Sequence, residues 1–197
     1  MTINNNSQLR NERKFIFFES QHSIDKLLKF IGAKEIYNSR EINSIYFDTY
    51  FHKNYYEAID GIMFRSKLRL RWYGEIFNRE IKPQLENKSR INQHNYKITK
   101  KLKNFKTQSK FSLINFQKYI QNEKNNDPEI NFYLNNLHPN LLVSYCRKYF
   151  SLNNIRITLD VDLKFVNLAK INYLSKSNFL CLNKKKIVEL KYGDKFH

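Results

Sequence analysis

Cysteine, proline, glycine and long apolar runs are all scarce in this chain of 197 residues. Cys146 and Cys181 are its only cysteines, too few for a cysteine metal site, and nothing suggests a disulfide framework. No apolar run approaches the ~20 residues that cross a bilayer. The opening residues Met1-Thr2-Ile3-Asn4-Asn5-Asn6-Ser7 carry no apolar signal core. With 3 prolines and 4 glycines there is no linker rich in either, and no internal repeat shows. These absences set the default expectation: a soluble cytoplasmic protein with no membrane span.

What is present is a globular chain. Apolar residues make up 41% and aromatics 15%, which excludes a disordered basic tail. The length suits one domain with a real core. The formal charge is +17, unevenly spread. Residues 1–60 balance, with 8 basic and 8 acidic side chains. Residues 61–110 carry 14 basic against 3 acidic, and residues 111–197 carry 13 against 7. A concentrated excess argues for an anion site rather than a generally soluble surface.

The excess peaks in Phe64-Arg65-Ser66-Lys67-Leu68-Arg69-Leu70-Arg71-Trp72-Tyr73. Basic residues occupy every second position. Strand side chains alternate faces, so Arg65, Lys67, Arg69 and Arg71 share one face and apolar residues dominate the other. At roughly 3.3 Å per residue the four cations span about 20 Å, a length suited to a polyanion. Alone, the pattern also describes a solvated strand over a core. It recurs, however. Strands are expected over 10–19, 42–47, 62–73, 78–82, 88–98, 141–150, 155–165 and 185–192, most with charge on one face. Asp160 and Asp162 share such a face in 155–165. Residues 83–87 read as a loop, and Asn153-Asn154 as a hairpin turn. Helices are expected over 23–31, capped by Ser23 and ended by Gly32, and over 51–59, about 111–122 and about 129–136. Residues 1–9 read as disordered. Charged faces this rich in long cations, with acids far apart in sequence, suggest a barrel with a polar lumen and apolar faces turned outward under helices. Cations converging in such a lumen repel one another unless a polyanion sits among them.

Several pieces then resemble a known family. They are Arg10-Asn11-Glu12-Arg13-Lys14-Phe15, Ser44-Ile45-Tyr46-Phe47-Asp48-Thr49, Arg65 through Gly74, Glu80-Ile81-Lys82 and Lys88-Ser89-Arg90. Tyr145-Cys146-Arg147, Arg156-Ile157-Thr158-Leu159-Asp160 and Glu189-Leu190-Lys191 complete the set. In this order and spacing they resemble the VTC domain, the polyphosphate polymerase branch of the triphosphate tunnel (CYTH-like) superfamily. The resemblance implies an α+β fold, an eight-stranded antiparallel barrel with a charged lumen and helices outside, over residues 10–197. It implies transfer of the ATP γ-phosphoryl group to polyphosphate, with a tripolyphosphatase or a non-catalytic polyphosphate or nucleotide sensor as alternatives.

By the same resemblance Arg69, Arg71, Lys82 and Lys191 are catalytic, and Lys14, Lys67, Lys88, Arg90, Arg147 and Arg156 bind phosphate. Glu189 is the first candidate ligand for Mn²⁺ or Mg²⁺, with Glu12 and Glu80 behind it. Hard divalent cations favour carboxylate oxygens beside substrate phosphates. Two departures stand out. Arg10 holds a position where the wider family often has the first acid of Glu-x-Glu-x-Lys, which fits the polymerase branch. The chain ends at His197 without the terminal helix usual in the family. Partners expected are ATP and polyphosphate or tripolyphosphate; a membrane partner is left open. Nucleic acid is not expected, because no recognised motif accompanies the charge. The histidines are scattered, and Trp72 and Tyr73 read as packing.

Overall fold

The computed structural model describes residues 10–18, 20–91, 94–107 and 111–193. The expectation of disorder over 1–9 lies outside them. In chain order, β1 (Arg10–Phe17) precedes α1 (Gln21–Phe30). Ser20 caps α1, its hydroxyl accepting from the Ser23 N–H at 3.1 Å, so the helix begins earlier than a Ser23 cap would allow. Ile24 and Leu28 are its buried positions, and Gly32 ends it at φ +81°, where glycine avoids the Cβ clash.

β2 (Lys34–Asp48) is far longer than the expected strand over 42–47. Its first seven residues are exposed, so they lack the burial-driven alternation that reveals a strand in sequence. α2 (Lys53–Ile59) follows, then β3 (Phe64–Tyr73), the cationic decapeptide. Gly74, at φ +91°, makes the turn after it.

The next region corrects the sequence reading. Residues 78–82 yield only β4 (Glu80–Ile81), and the expected loop at 83–87 becomes part of β5 (Gln84–Ile91). The single strand expected over 88–98 is two, because β6 (His94–Lys101) folds back on β5. Gln84-Leu85-Glu86-Asn87 follows a proline and holds no β-branched residue, so it lacks local strand signal. Pairing with β3 supplies the strand instead.

β7 (Phe105–Lys106), β8 (Phe111–Ser112), α3 (Leu113–Asn126) and α4 (Pro128–Leu134) complete the middle of the chain. Ser112 caps α3, and Asp127 caps α4 with Pro128 in its first turn. Then come β9 (His138–Leu152), β10 (Ile155–Asn167), β11 (Tyr173–Leu174), β12 (Leu180–Leu182) and β13 (Lys186–Gly193). Asn153 and Asn154 join β9 to β10 with φ 45° and 66°, the two positive values a tight hairpin requires.

Hydrogen-bonded strand order is β1-β13-β10-β9-β2-β3-β5-β6, with β12 beside β10. β4–β7 and β8–β11 form separate two-stranded sheets. The fold is α+β, with four α-helices among the described residues and antiparallel pairing in every register described. Among the described residues no pairing joins β6 to β1.

The chain divides into two units. Unit one comprises residues 43–143 and 165–179. Its core gathers Leu70, Trp72 and Leu85 from the sheet with Phe116 and Ile130 from α3 and α4. Unit two holds residues 2–42, 144–164 and 180–197. Its core sets Ile24 and Leu28 of α1 against Leu159 and Val161 of β10 and Val188 of β13. Each such buried side chain contributes about 1.5–3 kcal/mol. In both units helices cover the apolar sheet face, and that leaves the charged face free for chemistry.

Candidate functional site

In unit one the register of β3, β5 and β6 sets charge beside charge. Arg65 opposes Arg90, Lys67 opposes Lys88, and Arg69 opposes Glu86. Lys88 in turn opposes Lys97, and Gln84 opposes both Arg71 and Lys101. Directly opposed residues share a face, so Arg65, Lys67, Arg69, Arg71, Lys88, Arg90, Lys97 and Lys101 form one cationic ladder. Glu86 is the carboxylate among them. Like charges opposed in this way are destabilising until an anion neutralises them.

Glu86 is 4% exposed and works as the internal counter-ion. Its Oε2 accepts from Arg69 Nε at 2.8 Å and lies 2.7 Å from Nη2. Arg71 approaches the same oxygen at 3.6 Å, and Lys97 reaches Oε1 at 3.1 Å. Tyr46 accepts from Arg69 Nη1 at 3.1 Å, and Ser44 from Arg71 Nε at 3.4 Å. Burial opposes the Arg69 charge, yet Tyr46 and Glu86 outweigh it and raise its pKa. Burial likewise opposes ionisation of Glu86, and Arg69 and Arg71 overcome it, lowering its pKa.

That direction fixes a pH dependence. A carboxylate with a lowered folded pKa stabilises the fold above its unfolded value, about 4.3, and loses that contribution as pH falls through the folded value. The stability difference between wild type and Glu86→Gln should be largest near neutrality and shrink below about pH 4. Urea unfolding across pH checks it; a difference independent of pH would contradict it.

Unit two presents a different balance. In register, Glu12 opposes Lys191 and Lys14 opposes Glu189 across β1 and β13. Arg156 opposes Lys191, and Thr158 opposes Glu189, across β10 and β13. Arg147 of β9 grips Asp160 through two bonds, Nε to Oδ1 at 2.6 Å and Nη2 to Oδ2 at 2.7 Å. Its Nη2 also lies 3.6 Å from Glu189. Burial disfavours the Arg147 charge and lowers its pKa, but Asp160, then Tyr145 and Glu189, outweigh it and raise the pKa. Arg147 lies over the Tyr145 ring at 5.2 Å, and Arg156 over Tyr149 at 5.8 Å. Lys14, Arg147, Arg156 and Lys191 thus stand beside Glu12, Asp160 and Glu189, close to neutrality.

Unit one therefore brings together Lys67, Arg69, Arg71, Lys88 and Arg90 of the expected site. Unit two brings together Glu12, Lys14, Arg147, Arg156, Glu189 and Lys191. Glu80 and Lys82 join neither. Glu80 pairs with Lys106 in the β4–β7 sheet, and Lys82 is exposed after it. Asp162, expected on one face with Asp160, takes φ 54° and is exposed. A left-handed residue interrupts strand alternation there. Glu86 and Lys97 escape the sequence reading. The alternation Glu86-x-Lys88-x-Arg90 could have revealed the first.

A divalent metal is implied by the family resemblance. Glu12 and Glu189 both bracket Lys14, at 3.1 and 3.9 Å, and Lys191, at 3.4 and 2.6 Å. Two carboxylates converging on shared positive charge suit Mg²⁺ or Mn²⁺, which take one or two carboxylates plus substrate phosphates. The buried Thr158 hydroxyl beside them has no hydrogen-bond partner among the described residues. No group of three acids, histidines or cysteines forms a metal cage among the described residues. The donor set thus fits a metal completed by substrate rather than a dedicated protein site.

Comparison with curated proteins returns no match. Among solved structures, the PH1012 protein of Pyrococcus horikoshii OT3 is similar at 14% identity and TM-score 0.47, covering 94% of this chain and 80% of that one. A candidate adenylate cyclase of Bacillus halodurans is similar at 12% identity and TM-score 0.49, covering 93% and 81%. HpAC1 of Hippeastrum, a candidate adenylyl cyclase reported with dominant triphosphatase activity, is similar at 13% identity and TM-score 0.46, covering 92% and 78%. The assignment rests instead on the VTC domain family, which matches residues 6–196. A match running from before β1 to beyond β13 makes this chain a member of the VTC domain family.

Proposed function

We propose that the chain is a metal-dependent phosphoryl transferase that passes the ATP γ-phosphoryl group to a polyphosphate chain. The observation that carries this reading is the ladder of eight cations around Glu86. Phosphoryl transfer asks a protein mainly for positioning and neutralisation of phosphate oxygens. Arg69 and Arg71 would hold phosphate by planar, bidentate contacts, and Lys67, Lys88 and Arg90 would extend the track along a polyphosphate. In unit two, Glu189 and Glu12 would hold Mn²⁺ or Mg²⁺. When bound, that ion neutralises charge developing on phosphate oxygens. Lys14, Arg147 and Lys191 would then be exchanged from protein carboxylates to substrate phosphates, and Arg156 would join them there. Lys82 and Glu80 enter as substrate-end contacts only if the β4–β7 sheet engages the chain.

We further propose that the strands enclose the substrate as an eight-stranded tunnel in a single domain over residues 10–197. With only two cysteines, Cys146 and Cys181, the chain suits a reducing compartment, and we place it in the cytoplasm. No helix among the described residues is long and apolar enough to cross a membrane.

Incubating the chain with ATP and Mn²⁺, then resolving products on a polyphosphate gel beside a phosphate-release assay, tests the reading. Polymer that requires metal is expected, and Glu189→Gln should abolish it. Phosphate release without polymer would favour a tripolyphosphatase. Neither product, with binding retained, would favour a sensor.

A further inference from the structure

The face of β3 and β5 opposite the cations is meant for packing, and most of it packs. Leu70 and Leu85 oppose each other there at 0% and 3% exposure. The pattern breaks toward the start of β3. Leu68 opposes Asn87, and Ser66 opposes Ser89, so a polar island interrupts an apolar face. Polar groups set among apolar neighbours cost stability unless they find partners. This island is only partly satisfied from within. The Ser66 hydroxyl donates to Asn87 Oδ1 at 2.5 Å. The Asn87 amide nitrogen and the side chains of Asn54 and Ser89 make no hydrogen bond among the described residues.

A cavity of about 350 Å³ opens over the island, with Asn54, Ser66, Asn87 and Ser89 in its lining. Leu68 and the aromatic Phe132 and Tyr133 line it too. That volume falls within the range of small-molecule sites. Among the described residues no charged side chain lines it, so it favours a neutral ligand over phosphate or carboxylate. Its amides and hydroxyls supply both donors and acceptors. Phe132, 77% exposed, supplies an open ring for stacking. Asn54 is fixed in place beforehand: the Asp48 carboxylate accepts from the N–H groups of Thr49, Asn54 and Tyr55 at 2.8, 2.9 and 3.1 Å.

Amide edges beside an aromatic face are how proteins hold neutral nitrogen heterocycles, bonding the edge and stacking the plane. We infer that this cavity binds a neutral planar nitrogen heterocycle, of the class of a nucleoside base, on the sheet face opposite the cationic ladder. The site is separate from the phosphate track and does not depend on the proposed transferase activity.

Adenosine, guanosine, cytidine and uridine, titrated singly into the full chain and followed by saturation-transfer NMR, test it. At least one should bind saturably, with Kd on the order of 0.1 mM for a ligand of this size. Phe132→Ala, at an exposed position, should weaken binding roughly 5–150-fold without lowering the melting temperature. Asn54→Ala, which leaves the Asp48 bonds intact, should weaken it as well. Tripolyphosphate should not displace the nucleoside. Absence of saturable binding by all four, indifference to both substitutions, or displacement by tripolyphosphate would each overturn the assignment.

Discussion

Arg147→Ala is expected to lower the melting temperature by roughly 6–20 °C. Arg147 and Asp160 are a bidentate pair with side chains only 16% and 7% exposed. Removing one member of a buried pair leaves its partner ionised without compensation, at a cost of about 3–5 kcal/mol. For a chain of this size each kcal/mol shifts the melting temperature by about 2–4 °C. Glu189, 4% exposed, loses a neighbour in the same step. Truncating both Arg147 and Asp160 should recover much of the loss, because Asp160 is then no longer left as a buried carboxylate without its partner. Thermal melts of the two single variants and the double variant measure this. A double variant as damaged as the sum of the singles would show that the pair is not the cause.

The second large effect concerns rate. Under the proposed activity, Arg69→Ala and Arg71→Ala should each reduce turnover about 10²–10³-fold, and Arg65→Ala should reduce it much less. Loss of a transition-state contact to developing charge typically costs that much. The contrast is geometric. Arg69 and Arg71 converge on one carboxylate oxygen and are anchored by Tyr46 and Ser44. Arg65 instead spends its Nη1 on the Ile62 carbonyl at 2.8 Å, holding the approach to its own strand. Steady-state turnover on the three variants decides it; Arg65→Ala as the most damaging would place the chemistry at the wrong end of β3.

The cationic ladder was half legible in sequence. Four alternating cations define the β3 face because alternation is local, and strand geometry turns it directly into a shared face. The apolar partners Leu68, Leu70 and Trp72 are legible for the same reason. Glu86 was hidden, since its segment follows Pro83 and reads as a loop until β3 pairs with it. Lys97 needed the pairing of β5 with β6, which no local signal announces. The network of Glu12, Lys14, Glu189 and Lys191 was nameable residue by residue through the family resemblance. Its near-neutral balance was not, because register between β1 and β13 spans most of the chain. Glu80 and Lys82 show the converse. Their alternation is good, but two residues of strand beside β7 are all that tertiary pairing gives them.

The central claim is that the cationic face takes a condensed phosphate chain as its missing counter-charge. Melting temperature measured against tripolyphosphate concentration tests it most directly, with duplex DNA at equal phosphate and about 0.15 M salt as the comparison. A ligand that binds only the folded state adds about 2.7 kcal/mol at a hundred times its Kd. That corresponds to a rise of roughly 5–10 °C with tripolyphosphate, and DNA should give much less. No rise with tripolyphosphate, or an equal rise with DNA, would contradict the account.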